Sequence, residues 1–274
     1  MDRFGLRRLG FADAILEVAA RRWRGGQVSD SSENVVEETP VGIVYNGVPH
    51  VVMMATPLDL EDFALGFSMT EELIRRPADL EHVEVVRYSQ GIELQATVSA
   101  ECEAVIGSRA RRFTGRTGCG ICGAEGVAAV LKTVHRVPEG QAIAADAIAT
   151  AIAALASRQP LNQAAGAVHA AGWATAAGTL QAVREDVGRH NALDKLVGAV
   201  LKEGIDPASG FVVISSRASF EMVQKTATLG APLLAAISGP TALAVRVAGH
   251  SELTLVGFAR GADLTVYTRP DRVR

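Results

Sequence analysis

The sequence predicts an α/β protein in two parts: a small α+β unit and a larger unit in which helices and strands alternate. Two hairpin patterns with a helix between them occupy the first part of the chain. From about residue 137 onward, helix and strand patterns follow one another, which is typical of helices packed on both faces of a parallel or mixed sheet. A chain of 274 residues, 48% of them hydrophobic, can bury a core of that size.

The composition argues against several classes of function. A net charge of -3 provides no general attraction to nucleic acid or to anionic membranes. Aromatic residues make up only 5% of the chain, which is few for base-stacking platforms. Three cysteines provide no disulfide framework and fit a reducing compartment. We therefore expect a cytoplasmic protein.

Residues 1–34 predict a flexible, basic N-terminal extension. Arg7-Arg8 resembles part of a twin-arginine signal, but Asp13 and Glu17 interrupt the apolar run that such a signal needs. The spacing of the apolar residues in 11–18 instead predicts a short amphipathic helix.

Residues 35–125 form the predicted small α+β unit. Its first hairpin turns at Asn46-Gly47, and Thr56-Pro57 opens a helix that Thr56 or Asp59 can cap. A second hairpin follows, and a further strand through Val105 and Ile106 is expected to lead into a cysteine-containing loop. The expected strands are 41–45, 48–54, 83–88, 92–98 and 105–113, and the buried face of the helix consists of Leu60, Phe63, Ala64, Phe67 and Ile74.

Residues 126–274 form the predicted larger unit. Apolar periodicity indicates its helices, and short apolar runs between turn residues indicate its strands. We expect Asn191 to cap one helix and Gly230 to end another. The expected helices are 146–158, 191–202, 219–229 and 241–248, and the expected strands are 167–175, 179–184, 211–214, 233–237, 253–258 and 264–268.

The most unusual stretch of the chain is residues 114–123, Thr-Gly-Arg-Thr-Gly-Cys-Gly-Ile-Cys-Gly. Such a cluster of glycines indicates special backbone angles or close approach by another group. Positive charge beside a thiol favours the thiolate, and the arginines nearby are Arg109, Arg111, Arg112 and Arg116. The stretch therefore predicts a loop that presents a reactive sulfur on Cys119 or Cys122.

The residues alone leave three interpretations of this cysteine pair. A zinc site would need Cys102, His169 or His190 to converge on it, and the sequence has no second paired motif. A thioredoxin-type redox pair should open a helix in a βαβ unit, which the flanking glycines do not fit. In the third interpretation, one thiolate carries a sulfane sulfur as a persulfide, and a flexible loop lets that sulfur visit two partners.

Three polar segments are candidate ligand sites. Residues 183–195 carry Arg184, Arg189 and Lys195 around a helix start, which fits either a solvated turn or an anion or pterin site. Residues 215–219 follow a buried strand and precede a helix, where ligands gather in open α/β sheets. Residues 258–263 join the last two strands and by themselves indicate only a hairpin turn.

Taken together, these motifs resemble the formate dehydrogenase accessory sulfurtransferase family (FdhD type) over about residues 37–268. The cysteine pair and the block Glu185-Asp186-Val187-Gly188-Arg189-His190-Asn191 are the most specific part of the resemblance. The remaining matches, in family order, are Asn46-Gly47, Thr56-Pro57 with Asp59, His169-Ala170-Ala171 and Gly257-Phe258-Ala259-Arg260-Gly261. Gly239 departs from the pattern, which has alanine there.

The resemblance implies a sulfur carrier. Such a protein accepts sulfur from a cysteine desulfurase as a cysteine persulfide and transfers it to the Mo-bis(molybdopterin guanine dinucleotide) cofactor before the cofactor enters formate dehydrogenase. It also implies a homodimer and a cofactor contact by Phe258, Ala259, Arg260, Gly261, Ala262 and Asp263. The alternative is a non-catalytic chaperone that binds and delivers the molybdopterin cofactor.

The resemblance further implies a three-layer, cytidine-deaminase-like fold for residues 126–274. Deaminases bind zinc through a histidine and a Cys-x-x-Cys motif and use a glutamate for proton transfer. Here His169 is followed by alanines, and Ser215-Ser216-Arg217 stands at the plausible second position, so we expect no structural metal. The expected counter-charges for the pyrophosphates of the cofactor are Arg189, Lys195, Arg217 and Arg260.

The two cysteines are expected to have different roles. Cys119 lies between two glycines and closer to Arg116, so its sulfur is less shielded and its thiolate better stabilised. Cys122 follows Ile121, whose branched side chain restricts access. We expect Cys119, the residue that the resemblance implies, to carry the transferable sulfur, and Cys122 to support the loop or resolve a stranded persulfide.

Overall fold

The computed structural model describes residues 13–110 and 135–274, and these residues confirm the α/β class. In this part of the chain the strands form three sheets, of two, four and six strands. No helix within these ranges is long and apolar enough to cross a bilayer.

The first sheet is a two-stranded ribbon that precedes the small unit. Strands β1 (Ile15–Arg24) and β2 (Gln27–Val36) pair antiparallel along their full length. The turn is Gly25-Gly26, with φ of +55° and +82°, and a glycine pair readily adopts these angles in a two-residue hairpin. The helix predicted for residues 11–18 is therefore wrong from Ile15 onward, because pairing across this turn decides the local structure. From Ile15 the expected flexible extension has regular β structure instead.

The four-stranded sheet confirms both predicted hairpins. Its strands are β3 (Thr39–Tyr45), β4 (Val48–Ala55), β5 (Leu80–Tyr88) and β6 (Gly91–Val98), in the order β4-β3-β6-β5. The two hairpins join through the parallel pair β3 and β6. Asn46 and Gly47 both have positive φ, as the tight turn requires. Helix α1 (Leu60–Thr70) packs on this sheet and buries Leu60, Phe63, Ala64 and Phe67 as predicted.

Two local predictions for the small unit are wrong. Helix α1 begins after Asp59, whose side chain makes no capping hydrogen bond, and Thr56 lies too far upstream to cap it. The strand expected through Val105 and Ile106 is helix α2 (Ala100–Ala110). Cys102 and Ile106 lie one helical turn apart and are buried together, so the helical period outweighs the strand preference of two β-branched residues.

The six-stranded sheet has the order β12-β11-β10-β9-β7-β8. Its strands are β7 (His169–Thr175), β8 (Leu180–Asp186), β9 (Gly210–Ile214), β10 (Leu233–Ala236), β11 (Thr254–Arg260) and β12 (Asp263–Val266). Strands β9, β10 and β11 are parallel, whereas β7 runs against both β8 and β9, and β12 runs against β11. Strands β8 to β11 therefore end at one edge, where β7 and β12 begin. We call this edge the carboxyl edge.

Helices cover both faces of this sheet, which confirms the predicted three layers. Helix α3 (Ala145–Ser157) packs on one face, and α5 (Arg189–Lys202), α6 (Phe220–Leu229) and α7 (Ala242–His250) pack on the other. The short helix α4 (Pro160–Ala165) was not predicted. Gly230 ends α6 in the left-handed conformation, as predicted.

The two units meet where α1 crosses α5. A Cβ atom on Gly66 would lie 1.7 Å from the carbonyl oxygen of Asp194, and one on Gly198 would lie 1.9 Å from that of Asp62. Because neither distance is possible for real atoms, only glycine allows the two backbones to touch here. The crossing fixes the small unit against the larger one, and we call this region the junction.

Candidate functional site

The segments that the sequence marked as ligand sites meet at the carboxyl edge. Residues 187–190 follow β8, residues 215–219 follow β9, and residues 258–261 end β11 and turn into β12. The backbone N–H of Ala170 donates to Ser215 Oγ at 2.8 Å, which ties the start of β7 to the turn after β9. Ala218 and Pro240 form an isolated parallel bridge, so the turns after β9 and β10 are also adjacent.

Three arginines at this edge have no carboxylate partner in the part of the chain that the structure describes. Arg189 is the first residue of α5 and is partly buried, while Arg217 and Arg260 are exposed. Arg260 Nε donates to the carbonyl oxygen of Ile237 at 2.9 Å, which orients its guanidinium group. Within residues 13–110 and 135–274, none of the three forms an ion pair, so their charges are available to an anion.

Phe258 presents an aromatic ring at the same edge. It lies where the pairing of β11 with β12 shifts register, and its φ of +52° is strained for a bulky residue. Its ring lies over Gly239, where a Cβ atom would come within 2.6 Å of a ring carbon. Gly239, which stands where the family pattern has alanine, therefore makes room for the ring of Phe258. That residue is 48% exposed. Of the neighbouring predicted residues, Ala259 is buried, whereas Gly261, Ala262 and Asp263 are exposed.

Two histidines and a glutamate lie beside the arginines. Burial lowers the pKa of His169, and the positive charges of Arg189 and His190 lower it further. His190 Nε2 lies 3.8 Å from Glu221 Oε1, an ionic contact longer than a hydrogen bond. Burial raises the pKa of Glu221, but His190 and Ser219 beside it outweigh that effect and bring it to about 2. The carboxylate therefore stays charged.

Lys195 is not at the carboxyl edge. Its side chain is 0% exposed, and its Nζ lies 2.7 Å from Asp186 Oδ2. The same ammonium group donates to the carbonyl oxygen of Thr56 at 2.9 Å. The prediction that Lys195 contacts a phosphate is wrong for this structure, because its charge is satisfied inside the protein.

The carboxylate of Asp186 is the shared acceptor of this buried cluster at the junction. One carboxylate oxygen accepts hydrogen bonds from the backbone of Gly188 and from Asn191 Nδ2, and the other accepts from the backbone of Thr56. Asn191 Nδ2 also donates to the carbonyl oxygen of Met54. Asn191 is therefore not the helix cap that was predicted; Gly188 occupies that position. The cluster ties the end of β8 to residues 54–56 of the small unit.

A second buried cluster joins α1, α5 and α6 at the junction. Lys225 Nζ lies 2.8 and 2.9 Å from the two carboxylate oxygens of Asp194 and donates to Thr70 Oγ1 at 2.9 Å. Sequence reasoning missed Asp194 and Lys225, and it assigned Thr56 to a helix cap instead of this junction. The sequence did contain a signal for these buried ion pairs. Asp194 and Lys195 lie between inward-facing residues of α5, where a charged side chain needs a partner inside the protein.

Arg184 and Glu185 also have structural roles. Arg184 donates to Asp62 Oδ2 from Nε at 2.9 Å and from Nη2 at 2.7 Å, so it is not a free cation. Glu185 accepts from the backbone N–H groups of Leu161 and Asn162 at the start of α4. Of the charged motif, Arg189 and His190 are the residues that remain at the carboxyl edge.

Cys119 and Cys122 lie outside the described residues, and so does most of the arginine cluster before them. The third cysteine, Cys102, is buried on α2. Among the residues that the structure describes, no group of three or more histidine, cysteine, aspartate or glutamate side chains could hold a metal ion.

The fold and the site define a three-layer α/β protein with an arginine-bearing carboxyl edge, joined to a small α+β unit. The chain belongs to the FdhD/NarQ family, whose model matches residues 36–274. It is 50% identical over 260 residues to a sulfur carrier protein FdhD of Bordetella petrii, which covers 94% of each chain. A protein of the same name from Xanthomonas campestris pv. campestris is 51% identical over 253 residues, 92% of this chain and 90% of that protein.

A solved structure from Desulfotalea psychrophila, described as a proposed formate dehydrogenase accessory protein, has the same fold. It superimposes with a TM-score of 0.74 at 24% identity and covers 96% of this chain and 100% of that one.

Proposed function

We propose that this protein is a sulfur carrier that serves the maturation of a formate dehydrogenase. The observation that carries the proposal is its identity of about 50%, over most of the chain, to proteins named sulfur carrier protein FdhD. Two features support it: the cysteine pair Cys119 and Cys122 in a glycine-rich, basic stretch, and the arginines of the carboxyl edge, which form no ion pair with any described residue.

The sulfur is carried on Cys119 as a persulfide. Its thiolate attacks the outer sulfur of a persulfide on a cysteine desulfurase, the S–S bond of that persulfide breaks, and the desulfurase thiolate leaves. This exchange conserves electrons and needs no further reactant. In the second step the S–S bond of the Cys119 persulfide breaks, and Cys119 leaves as a thiolate. The outer sulfur becomes a sulfido ligand of the Mo-bis(molybdopterin guanine dinucleotide) cofactor by taking two electrons from the metal, which is oxidised by two units.

The carboxyl edge binds the nucleotide portions of this cofactor, which is the cargo. Each pyrophosphate is anionic, and Arg189, Arg217 and Arg260 supply cations that no internal carboxylate neutralises in the described chain. Phe258 supplies a half-exposed ring on which a purine base can stack. Residues 258–263 are therefore the proposed cofactor contact, without Lys195.

The proposal includes partners and a location. The protein meets a cysteine desulfurase, the catalytic subunit of formate dehydrogenase and the cofactor. It acts in the cytoplasm as a homodimer and binds neither nucleic acid nor a membrane. Light scattering of the purified protein measures the oligomeric state directly.

The test is the mass of the protein after incubation with a desulfurase and cysteine. We expect the mass of one added sulfur atom, and peptide mapping to place it on Cys119. Cys119→Ala should abolish both loading and maturation of formate dehydrogenase, whereas Cys122→Ala should keep part of the activity. Cys102→Ala is the matched control, because Cys102 is buried on α2 and should not affect loading.

Two results would contradict this assignment. Sulfur on Cys122, with an active Cys119→Ala variant, would reverse the roles of the two cysteines. A protein that never gains sulfur but still matures the enzyme would instead be the cofactor-binding chaperone.

A further inference from the structure

We propose that His169 is an additional ligand-binding residue of the carboxyl edge, and that its imidazole takes up a proton when a pyrophosphate-bearing ligand binds there. This inference rests on the anion site proposed above. It concerns a residue that the sulfur transfer itself does not use.

His169 lies at the carboxyl edge by its position in the sheet. It is the first residue of β7 and pairs with Asp186 at the end of β8, and its neighbour Ala170 is bonded to Ser215 after β9. The side chain is partly buried. Within residues 13–110 and 135–274 its ring makes no hydrogen bond and no ion pair, so both ring nitrogens are available to a ligand.

Arg189, His190 and Asp186 are the charged groups that act on His169, and Arg217 and Glu221 belong to the same edge. Arg189 and His190 lie on α5, and Asp186 is the last residue of β8. Arg217 follows β9, and Glu221 on α6 contacts His190. The helix α4 contributes no charged residue. Asp186 is already bonded to Lys195, Thr56, Gly188 and Asn191, so it offers His169 little compensation.

The surroundings therefore favour the neutral ring while the site is empty. Burial lowers the pKa of His169, and Arg189 and His190 act in the same direction. A bound pyrophosphate reverses the sign of the local potential, and a protonated imidazole can donate from both nitrogens instead of one. The folded, ligand-bound state then binds more protons than the free state, so affinity rises as pH falls. A single linked proton limits the rise to about tenfold per pH unit.

The experiment uses a guanosine diphosphate sugar, because its pyrophosphate diester keeps a constant charge near neutral pH. Calorimetric titrations at about pH 6 and about pH 8, each in two buffers with different heats of ionisation, report both affinity and proton uptake. We expect the full-length protein to bind about three- to tenfold more tightly at the lower pH, with net proton uptake.

His169→Asn should reduce this pH effect below about twofold and remove the proton uptake linked to the histidine. The matched control is His250→Asn, because His250 is an exposed histidine at the end of α7, away from the carboxyl edge. It should behave like the unaltered protein. Far-ultraviolet circular dichroism and sulfur loading on Cys119 should be unchanged in both variants.

The outcomes separate this inference from the proposed function. Tight binding without pH dependence, or proton uptake that persists in His169→Asn, overturns the role of His169 and leaves the anion site intact. Loss of the uptake in His190→Asn, with retention in His169→Asn, also overturns it and assigns the proton to His190. A protein that loads sulfur but binds no nucleotide at either pH overturns the anion site and this inference together.

Discussion

The junction and the carboxyl edge both take residues from one stretch of sequence, residues 184–195, but its charged side chains are paired at the junction and unpaired, among the described residues, at the edge. At the junction, Lys195 pairs with Asp186, and Asp194 pairs with Lys225, all of them buried. At the carboxyl edge, Arg189 has no carboxylate partner among the described residues. A dense charged motif can therefore hold two units together at one end and receive a ligand at the other.

The difference follows from the cost of burying a charge. An ion removed from water is tolerated only with a partner and further hydrogen bonds, so the buried members of the motif are already satisfied. An exposed cation remains solvated, so it has no desolvation penalty that an internal partner must offset. It can therefore bind an anion from solution. Removing a residue at the junction should therefore reduce stability, whereas removing one at the edge should reduce binding.

The largest effect is expected for Asp186→Ala. It leaves the ammonium group of Lys195 buried without a counter-ion and removes the acceptor of three other donors. The free energy of unfolding should fall by about 3–5 kcal/mol, measured by urea denaturation. The control is the double variant Asp186→Leu with Lys195→Met, which removes both charges and should recover part of the loss. A fully stable single variant would show that the pair does not support the junction.

A smaller effect is expected for Gly198→Ala, which tests the junction without altering charge. Its new Cβ atom would lie 1.9 Å from the carbonyl oxygen of Asp62, so α1 and α5 must separate. We expect a loss of about 1–3 kcal/mol in the free energy of unfolding. Gly107→Ala on α2 is the matched control, because nothing lies within 4 Å of its Cβ position, and alanine there should be neutral or stabilising. Equal losses in the two variants would rule out the crossing as the cause.

The smallest effect on stability, and the clearest effect on binding, is expected for Arg217→Ala and Arg260→Ala. Each should weaken guanosine diphosphate binding by about 1.5–3 kcal/mol, the range for a hydrogen bond to a charged group, and change stability by less than about 0.5 kcal/mol. Added salt should reduce the difference from the unaltered protein, because exposed charges are screened. Arg75→Ala, an exposed arginine of the small unit, is the control and should bind normally. Unchanged calorimetric affinity in Arg260→Ala would remove residues 258–263 from the site.

Local signals in the sequence predicted most of the fold. Asn46-Gly47 located a hairpin, and periodic apolar residues located α1, α3 and α5 to α7. The failures have specific causes. Val105 and Ile106 have strand preference, but packing of Cys102 with Ile106 favours a helix, and the turn at Gly25-Gly26 was overlooked. In the first error tertiary packing outweighed a local preference, and in the second a local turn signal was not used.

The site was predicted less completely than the fold. The carboxyl edge followed from the rule that ligands gather where parallel strands end, and Arg217 and Arg260 do lie there. Lys195 could not be distinguished from Arg189 by composition, because both are cations in the same motif. Only their three-dimensional positions show that Lys195 is buried in an ion pair with Asp186, whereas Arg189 is only partly buried.

The glycine contact between α1 and α5 restricts how this protein can vary. In most packed cores, a larger residue at one position can be offset by a smaller one opposite. Here each glycine faces a main-chain carbonyl of the other helix, and a main chain cannot be trimmed by mutation. A genetic screen for second-site suppressors of Gly66→Ala should therefore return reversions to glycine and no change at Gly198. The two positions are expected to be fixed independently rather than to covary.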